Sequence, residues 1–485
     1  MEQRGARVGL IAGPLVAGFG LFLGPPAGIG SAEWAVAMVA ILMAIWWITE
    51  ALPLAATALI PVLAFPALDV MAAGEVTRAY GNHLIFLFLG GFFIAVTMQR
   101  WNLHRRIALY TIALVGTDPR RMILGFMLAT AGLSMWISNT ATAMMMLPIG
   151  LAVLRQSEDE ARAQGVTLPR GFGVALMLGI AYSASIGGLA TLIGTPPNAV
   201  LAGMAEEIYD ISIDFATWMA FGLPLSLLFL GLAWTYLAFG QHGRAFTELP
   251  GGRQRIEAEI RELGSMDPAE WRVLAVFSVV ALAWVTRGFL PEGALNQVND
   301  ASIAMAGALA LFIMSSGKAD GERLLEWDTA VKIPWDIVLL FGGGFALAAG
   351  FTATGLSETL ANAMQALEGA PVLLMIGACV ALVVFLTEVT SNTATATVFV
   401  PLMGAIAVAT GLHPLALMAA VAVAASCAFM LPVATPPNAV VFGSRAMTVA
   451  DMARAGFALN LVTIALTTMF VYWLLPVVMG IEILQ

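Results

Sequence analysis

The sequence predicts an all-α polytopic membrane protein with eleven transmembrane helices and two re-entrant hairpins. The chain has 485 residues, of which 60% are hydrophobic and 11% are charged. A soluble domain carries about 25% charged residues, so this composition excludes an ordinary soluble fold. Apolar stretches of about 20 residues, the length that spans a bilayer, recur along the chain. The uncharged pentapeptide Ser-Asn-Thr-Ala-Thr also occurs twice, at 138–142 and 391–395.

Eleven apolar stretches are predicted as transmembrane helices. We interpret the first as an uncleaved helix rather than a signal peptide, because further spans follow it. In chain order the predicted helices are 8–26, 33–49, 53–68, 83–99, 171–203, 216–240, 271–290, 302–316, 336–352, 414–443 and 456–480.

The distribution of lysine and arginine predicts a cytoplasmic N-terminus and an external C-terminus. Short cytoplasmic loops are rich in these residues, and here they cluster near the N-terminus, in 241–270, around 318–332 and around 445–454. An odd number of helices then leaves the C-terminus outside. Arg78 and Arg287 do not fit this assignment.

Two further apolar stretches, 121–152 and 371–403, each have the same kind of charge pattern on both sides. Arginines border both ends of the first stretch, whereas neither end of the second carries lysine or arginine. Each stretch therefore enters and leaves on one side of the membrane. About 32 residues at roughly 1.5 Å each form two half-depth helices folded back on themselves. The repeated pentapeptide lies at the turn of each predicted hairpin.

Three matches in the same order relate the two halves of the chain. LFLGGFFIA at 87–95 matches LFGGGFALA at 340–348, and the pentapeptide follows at the same offset of 253 positions. LIGTPPNAV at 192–200 then matches PVATPPNAV at 432–440, at an offset of 240. The halves start on opposite sides of the membrane, so the repeat is predicted to be inverted. Inverted repeats with broken helices are typical of secondary transporters.

The hairpin turns and the Thr-Pro-Pro-Asn segments expose backbone at membrane depth. Consecutive prolines unwind a helix, and unwound backbone is tolerated there only inside protein or along a cavity. Carbonyl and hydroxyl oxygens suit a hard cation such as sodium, whereas helix N-termini and amide donors suit an anion. The motifs are therefore predicted to form two halves of one site. The alternative is that the hydroxyls bond to their own helices and the prolines only kink them.

Other chemistries lack the residues that they need. The four histidines have no metal-ligand spacing, the two cysteines lie in apolar segments, and no basic patch suited to nucleic acid is present. A proton antiporter or a membrane enzyme would need buried titratable groups, and Glu388 is the one charge in the second hairpin. We interpret Glu388 as a structural acid, and Glu50 as the end of a helix near the interface.

Together with these motifs, TEALP at 49–53 makes the chain resemble the divalent anion/sodium symporter family over residues 34–480. The resemblance implies a homodimer in which a transport domain moves like an elevator against a stationary scaffold domain. The scaffold would comprise 1–120 and 271–352, the transport domain 121–240 and 353–485, and the cytoplasmic loop 241–270.

The resemblance also implies the residues of the site. The substrate would be bound by Asn139, Thr140, Thr195, Pro196, Asn392, Thr393, Thr435 and Pro436. One sodium ion would be bound by Ser134, Ser138, Asn139 and Gly194, and another by Thr387, Thr390, Asn392 and Ala434.

By resemblance, the expected function is sodium-driven import of a C4-dicarboxylate (succinate, fumarate or malate) or a related carboxylate such as citrate. The expected location is a bacterial inner membrane. The two intact Ser-Asn-Thr motifs favour carboxylates over sulfate. A sodium-independent dicarboxylate exchanger and a sodium/sulfate symporter on the same fold are alternatives, and so is an ion channel. An enzyme is disfavoured because the sequence offers no nucleophile–base pair.

Overall fold

The computed structural model describes residues 2–116, 118–165, 170–240, 252–287, 298–318, 321–363 and 371–484. Within these ranges the regular structure is helical, and β-pairing is limited to two isolated bridges. Nine of the described helices are long and apolar enough to cross a membrane. The predicted all-α polytopic architecture is therefore confirmed, whereas the count of eleven spans stays a prediction.

The helices are described in two sets, divided at residue 240. The first set is α1 (Glu2–Leu23), α2 (Ser31–Thr49), α3 (Leu54–Thr57), α4 (Ile60–Ala67), α5 (Ala73–Ala79), α6 (His83–Arg100), α7 (Leu103–Val115), α8 (Pro119–Ser134), α9 (Asn139–Ala163), α10 (Arg170–Gly188), α11 (Pro196–Tyr209) and α12 (Phe215–Phe239). The second set is α13 (Gly252–Leu263), α14 (Pro268–Thr286), α15 (Asp300–Ile313), α16 (Trp327–Ala330), α17 (Trp335–Thr354), α18 (Leu356–Ala363), α19 (Val372–Thr387), α20 (Asn392–Ala409), α21 (Pro414–Ala425), α22 (Pro436–Phe442) and α23 (Val449–Met479).

Three of the predicted helices are interrupted in the structure. The stretch 53–68 forms α3 and α4, 171–203 forms α10 and the start of α11, and 414–443 forms α21 and α22. Prolines occupy the first or second position of α4, α11 and α22. Proline can begin a helix but cannot continue one, because it lacks the N–H that the preceding turn needs.

Both predicted hairpins are present as helix–turn–helix units, and their boundaries differ from the prediction. The first hairpin begins at Pro119 rather than 121, and its second arm α9 runs to Ala163 rather than 152. The second hairpin also extends, from 403 to Ala409. In the first hairpin the added residues of α9 are largely polar, and a hydrophobicity criterion stops before them although Gln, Glu and Arg are good helix formers. The residues added to the second hairpin, 404–409, are apolar, so polarity does not explain that difference.

Several helices lie in segments that were predicted as loops. These are the short helices α5, α7, α16 and α18 and the charged helix α13, which occupies the middle of the 241–270 loop. Their charged or short sequences give no membrane-spanning signal. Residues 241–251 of that loop lie outside the described residues.

The same order of elements occurs in both halves of the chain. The helix α6 is followed by the hairpin α8–α9 and the broken helix α10–α11, as α17 is followed by α19–α20 and α21–α22. A β-carbon built on Gly90 of α6 would lie 2.6 Å from the carbonyl carbon of Ala304 in α15. One built on Gly343 of α17 would lie 2.3 Å from Ala58 O, between α3 and α4. Each half thus packs its glycine-containing helix onto the backbone of the other half.

Arg287, which did not fit the predicted orientation, is paired with an acid. Its Nη1 lies 2.8 Å from Asp300 Oδ1, and the other oxygen of Asp300 accepts from Phe215 N at 2.8 Å. Trp284 Nε1 donates to Asp300 O at 2.9 Å. This pairing ties α14 to α12 and α15, and it gives Arg287 a structural reason to occur there.

A buried ion pair holds the corner between α13 and α14 against α7. Arg106 donates from Nε and Nη2 to the two oxygens of Glu270, each at 2.9 Å, and the two side chains are 8% and 6% exposed. Arg106 Nη1 also donates to Gly264 O at 3.0 Å. Arg105 pairs with Glu259 of α13 on the same side.

We expect Arg106→Ala to lower the stability of the protein by about 3 kcal/mol, because it leaves Glu270 buried without its partner. The measurement is the unfolding temperature in detergent. Arg253→Ala is the matched control, since the Arg253–Glu257 pair lies on the exposed face of one helix and contributes little. An Arg106→Ala protein that unfolds at the wild-type temperature would contradict the prediction.

Candidate substrate and ion site

Both hairpin tips and both helix breaks meet around one cavity of about 1050 Å³. All eight residues expected to bind substrate line it: Asn139, Thr140, Thr195, Pro196, Asn392, Thr393, Thr435 and Pro436. Ser138, Gly194, Thr390 and Ala434, expected to bind sodium, line it too. Ser134 and Thr387 are fully buried directly behind the two asparagines.

In the first half, oxygen atoms converge on the side chain of Asn139. Ser134 Oγ lies 2.5 Å from Asn139 Oδ1 and donates to Ala184 O at 2.7 Å. The same amide atom of Asn139 lies 3.1 Å from Ala184 O and 3.2 Å from Gly194 O. An amide oxygen among carbonyl and hydroxyl oxygens is unfavourable unless a cation lies between them or the amide turns its nitrogen inward. With its nitrogen inward, the amide donates to these oxygens and needs no cation. With its oxygen inward, the same atoms would present only oxygens to a small hard cation.

Two glycines let the backbone approach this oxygen cluster. A β-carbon on Gly194 would lie 2.4 Å from Gly188 O, and one on Gly188 would lie 2.9 Å from both Asn139 Oδ1 and Gly194 O. Any larger residue at either position would fill the space beside the asparagine.

The second half repeats the arrangement with a threonine in place of the serine. Thr387 Oγ1 lies 2.8 Å from Asn392 Oδ1 and 3.0 Å from Ala425 O, either of which its hydroxyl can donate to. Thr390 Oγ1 lies 2.7 Å from Thr395 Oγ1 and donates to Leu386 O at 2.9 Å. Ser134 and Thr387 are 253 positions apart, the offset of the hairpin repeat. Each tip thus holds its asparagine with a buried hydroxyl that also bonds to the adjacent broken helix.

Sequence reasoning missed the role of the asparagine in each Thr-Pro-Pro-Asn segment. Asn198 Nδ2 donates to Gly188 O at 3.1 Å and Thr191 O at 2.8 Å. Asn438 Nδ2 donates to Ala428 O and Leu431 O, both at 3.1 Å. These acceptors are related by the offset of 240, and both asparagines are fully buried. Each asparagine therefore ties its broken segment together, and its repetition in the sequence was the available signal.

Glu388 binds the backbone of the second broken segment. Its Oε1 accepts from Phe429 N at 2.8 Å, Met430 N at 2.9 Å and Asn460 Nδ2 at 2.8 Å. Its Oε2 accepts from Met430 N and Leu431 N, both at 3.1 Å. The side chain is 4% exposed, and every neighbour in these contacts is a donor. The structure thus gives Glu388 a structural contact of the kind that the sequence predicted.

The rest of the cavity wall is mainly apolar. Phe88 and Phe92 of α6, Ile193 and Val433 contribute side chains to it. Glu50 lies at its rim, just after α2, with a left-handed backbone (φ 48°). No lysine, arginine or histidine of the described chain lines the cavity.

Two repeated hairpin tips and two broken helices around one cavity define a helical membrane transporter. The chain belongs to the sodium:sulfate symporter family, because residues 7–480 match the model of that family's transmembrane region. The family resemblance found in the sequence is thereby confirmed.

Named relatives agree with this membership, and two solved structures have a similar fold. The sodium-dependent dicarboxylate transporter SdcS of Staphylococcus saprophyticus is 42% identical over 487 residues, 99% of this chain and 93% of the relative. SdcS of Staphylococcus aureus strain USA300 is 42% identical over 486 residues, with the same coverage of each chain. The fold is similar to the Alcanivorax borkumensis YdaH transporter (TM-score 0.59, 15% identity, 91% of this chain and 98% of that one). It is also similar to Neisseria gonorrhoeae MtrF (TM-score 0.58, 12% identity, 96% and 94%).

Proposed function

We propose that this protein imports C4-dicarboxylates such as succinate, fumarate or malate, or related di- and tricarboxylates, by symport with sodium. The observation that carries the proposal is a cavity with two oxygen clusters and no described basic residue in its wall. A dianion there needs cations to balance its charge, and each cluster offers a place for one. The names of the 42% identical relatives support the same substrate and ion.

Sodium and substrate would divide the polar groups of each tip. Sodium would bind to Asn139 with Ser134, Ser138 and Gly194 in one half, and to Asn392 with Thr387, Thr390 and Ala434 in the other. The dianion would then contact donors at Thr140 and Thr393 and the helix N-termini at the Thr-Pro segments. Sodium binding first orders both tips, and the substrate binds to the ordered form.

We infer that the cavity opens toward the cytoplasm. Its lining includes Gly5, Ala6, Glu50 and Ile337, which belong to segments that the distribution of arginine and lysine assigns to the inside. The two tips also differ in environment. Trp136, beside the first motif, stacks on Trp284 with centroids 6.3 Å apart, whereas its repeat equivalent Val389 is 68% exposed at the cavity.

The proposal includes the remaining expectations from the sequence. The hairpins are re-entrant, the repeat is inverted, and a transport domain of 121–240 and 353–485 moves like an elevator against a scaffold of 1–120 and 271–352 in a homodimer. The N-terminus is cytoplasmic and the C-terminus external. His413 N donates to Ile483 O at 2.8 Å, so residue 483 lies beside a turn that has no lysine or arginine.

The test is uptake of labelled succinate into proteoliposomes with an inward gradient of sodium, compared with choline or potassium. We expect uptake only with sodium, and competition by fumarate or malate that exceeds competition by sulfate. Uptake without sodium that requires internal dicarboxylate would identify an exchanger instead. Sodium-dependent uptake of sulfate but not succinate would identify the sulfate symporter, and conductance without saturable counterflow would identify a channel.

A further inference from the structure

Four phenylalanines on α6 and α17 are related by the repeat. Phe88 corresponds to Phe341 and Phe92 to Phe345, each pair 253 positions apart. Phe88 and Phe341 meet edge to face with centroids 5.0 Å apart. The outer members of this cluster differ, because Phe92 lines the cavity whereas Phe345 is buried, with 1% of its surface exposed. Equivalent rings thus occupy an open and a closed environment in the same structure.

Phe345 packs directly on Gly203 of α11. A β-carbon built on Gly203 would lie 2.0 Å from Phe345 Cε1 and 2.1 Å from Cζ. Real side chains do not approach this closely, so only glycine allows the ring to lie against this helix. The contact joins α17, in the proposed scaffold, to α11, in the proposed transport domain.

The repeat equivalent of Gly203 is Gly443, 240 positions later in the sequence. Gly443 is exposed and has an ordinary helical backbone, with φ −57° and ψ −20°. A β-carbon there would meet only two carbonyls of its own helix, Val440 O at 3.2 Å and Ala439 O at 3.6 Å. Neither backbone conformation nor packing among the described residues therefore requires glycine at 443 in this conformation.

The two glycines lie on opposite sides of the site. In the proposed orientation α11 runs from its break toward the outside, and α22 runs from its break toward the cytoplasm. The Phe345–Gly203 contact then lies on the external side, where the cavity is closed. The space beside Gly443 lies on the cytoplasmic side, where the cavity is open.

We propose that Phe92 packs on Gly443 in the outward-facing conformation and closes the cytoplasmic path, as Phe345 on Gly203 closes the external path here. This inference rests on the proposed function, since it assumes that the two halves exchange their conformations during transport. Glycine is then required at position 443 in the outward-facing conformation, because Phe92 packs on it there. Transport then breaks one ring–glycine contact and forms the other in each cycle.

The first test is Gly443→Ala. We expect the rate of succinate uptake to fall about tenfold, because overpacking by one methyl group at a tight contact disfavours the outward-facing conformation. Sodium-dependent thermal stabilisation by succinate should persist, since the inward-facing site is unchanged. Gly231→Ala is the matched control, because a β-carbon on Gly231 would have no neighbour within 4 Å. Wild-type uptake by Gly443→Ala would overturn the proposal.

The second test makes the partner ring smaller, so that it leaves room for the methyl group added at position 443. Gly443→Ala combined with Phe92→Leu, which makes the side chain smaller but still large enough to cover the path, should recover much of the lost uptake, whereas Gly443→Ala combined with Phe345→Leu should not. A role of Gly443 within its own helix would give no such difference between the two combinations. Equal uptake by the two double variants would therefore overturn the proposal.

Cross-linking tests the contact without relying on the substrate. The two native cysteines, Cys379 and Cys427, are buried and free, and both are first replaced by alanine. One pair of cysteines for cross-linking is then introduced as Phe92→Cys with Gly443→Cys. The other is Phe345→Cys with Gly203→Cys. We expect a short bifunctional thiol reagent to cross-link both pairs. Each cross-link should trap the protein in one conformation, so a protein that carries both pairs should form one cross-link or the other. Failure of the Phe92–Gly443 pair to cross-link would overturn the inference, and failure of wild-type succinate uptake would overturn only the proposed substrate.

Discussion

Asn139→Ala and Asn392→Ala are each expected to lower sodium-dependent succinate uptake at least about 100-fold. Each change removes the side chain that a buried hydroxyl, Ser134 or Thr387, holds at the hairpin tip. The loss of an oxygen ligand and an amide donor to charged partners costs about 3 kcal/mol, since such hydrogen bonds contribute about 1.5–3 kcal/mol each. The measurement is the initial rate of labelled uptake in proteoliposomes under a sodium gradient.

Aspartate at the same positions separates the two roles of the asparagine. Asn139→Asp keeps an oxygen for the cation but adds a negative charge facing a dianion. We expect sodium binding to be retained and the half-saturating succinate concentration to rise strongly. Thr235→Ala is the control for expression and folding, because Thr235 is exposed and its hydroxyl bonds within its own helix, to Gly231 O. Uptake near the wild-type rate in either alanine variant would contradict the assignment of that asparagine to the sodium and substrate site.

Glu388→Gln is expected to cause the largest loss of stability among the substitutions considered, about 3 kcal/mol or more. The carboxylate accepts five hydrogen bonds, four of them from the backbone of 429–431. Glutamine would place an amide donor against these donors and leave buried N–H groups without an acceptor. The broken segment that carries Ala434 would lose its anchor, so uptake should fall together with the unfolding temperature in detergent.

The control for this substitution is Glu50→Gln. Glu50 is exposed at the end of α2, and removing its charge should leave the unfolding temperature unchanged. The equivalent of Glu388 in the first half is Met135, so the first hairpin carries no such carboxylate. A Glu388→Gln protein as stable as the wild type would show that the hydrogen bonds to 429–431 do not stabilise the fold.

Local and periodic features of the fold could be predicted from the sequence alone. Long apolar runs give helices because a bilayer leaves the backbone no other partner. The repeated pentapeptide marked both hairpin turns, and Ser138 does cap α9, accepting from Ala141 N at 3.2 Å. Paired prolines marked both helix breaks. The end of α9 was wrong because this helix continues on polar residues beyond the apolar stretch.

The contacts between separate segments of each half could not be predicted in this way. Nothing local to Asn198 or Asn438 indicates that their amides bond to carbonyls of the broken segment, ten and seven positions earlier. Likewise, Glu388 is 41 positions from Phe429, whose amide it binds. Such partners depend on how helices cross, and sequence spacing does not encode that.

By itself, the sequence determined the class of the protein, its repeated motifs and the residues expected at the site. The tertiary structure decided that these residues surround one cavity, and that the two halves are in different states. Phe345 lies against Gly203 while Phe92 lines the cavity. The physical reason is that composition and periodicity act on each segment separately. Two equivalent segments with the same motif can be packed differently, and only their contacts distinguish them.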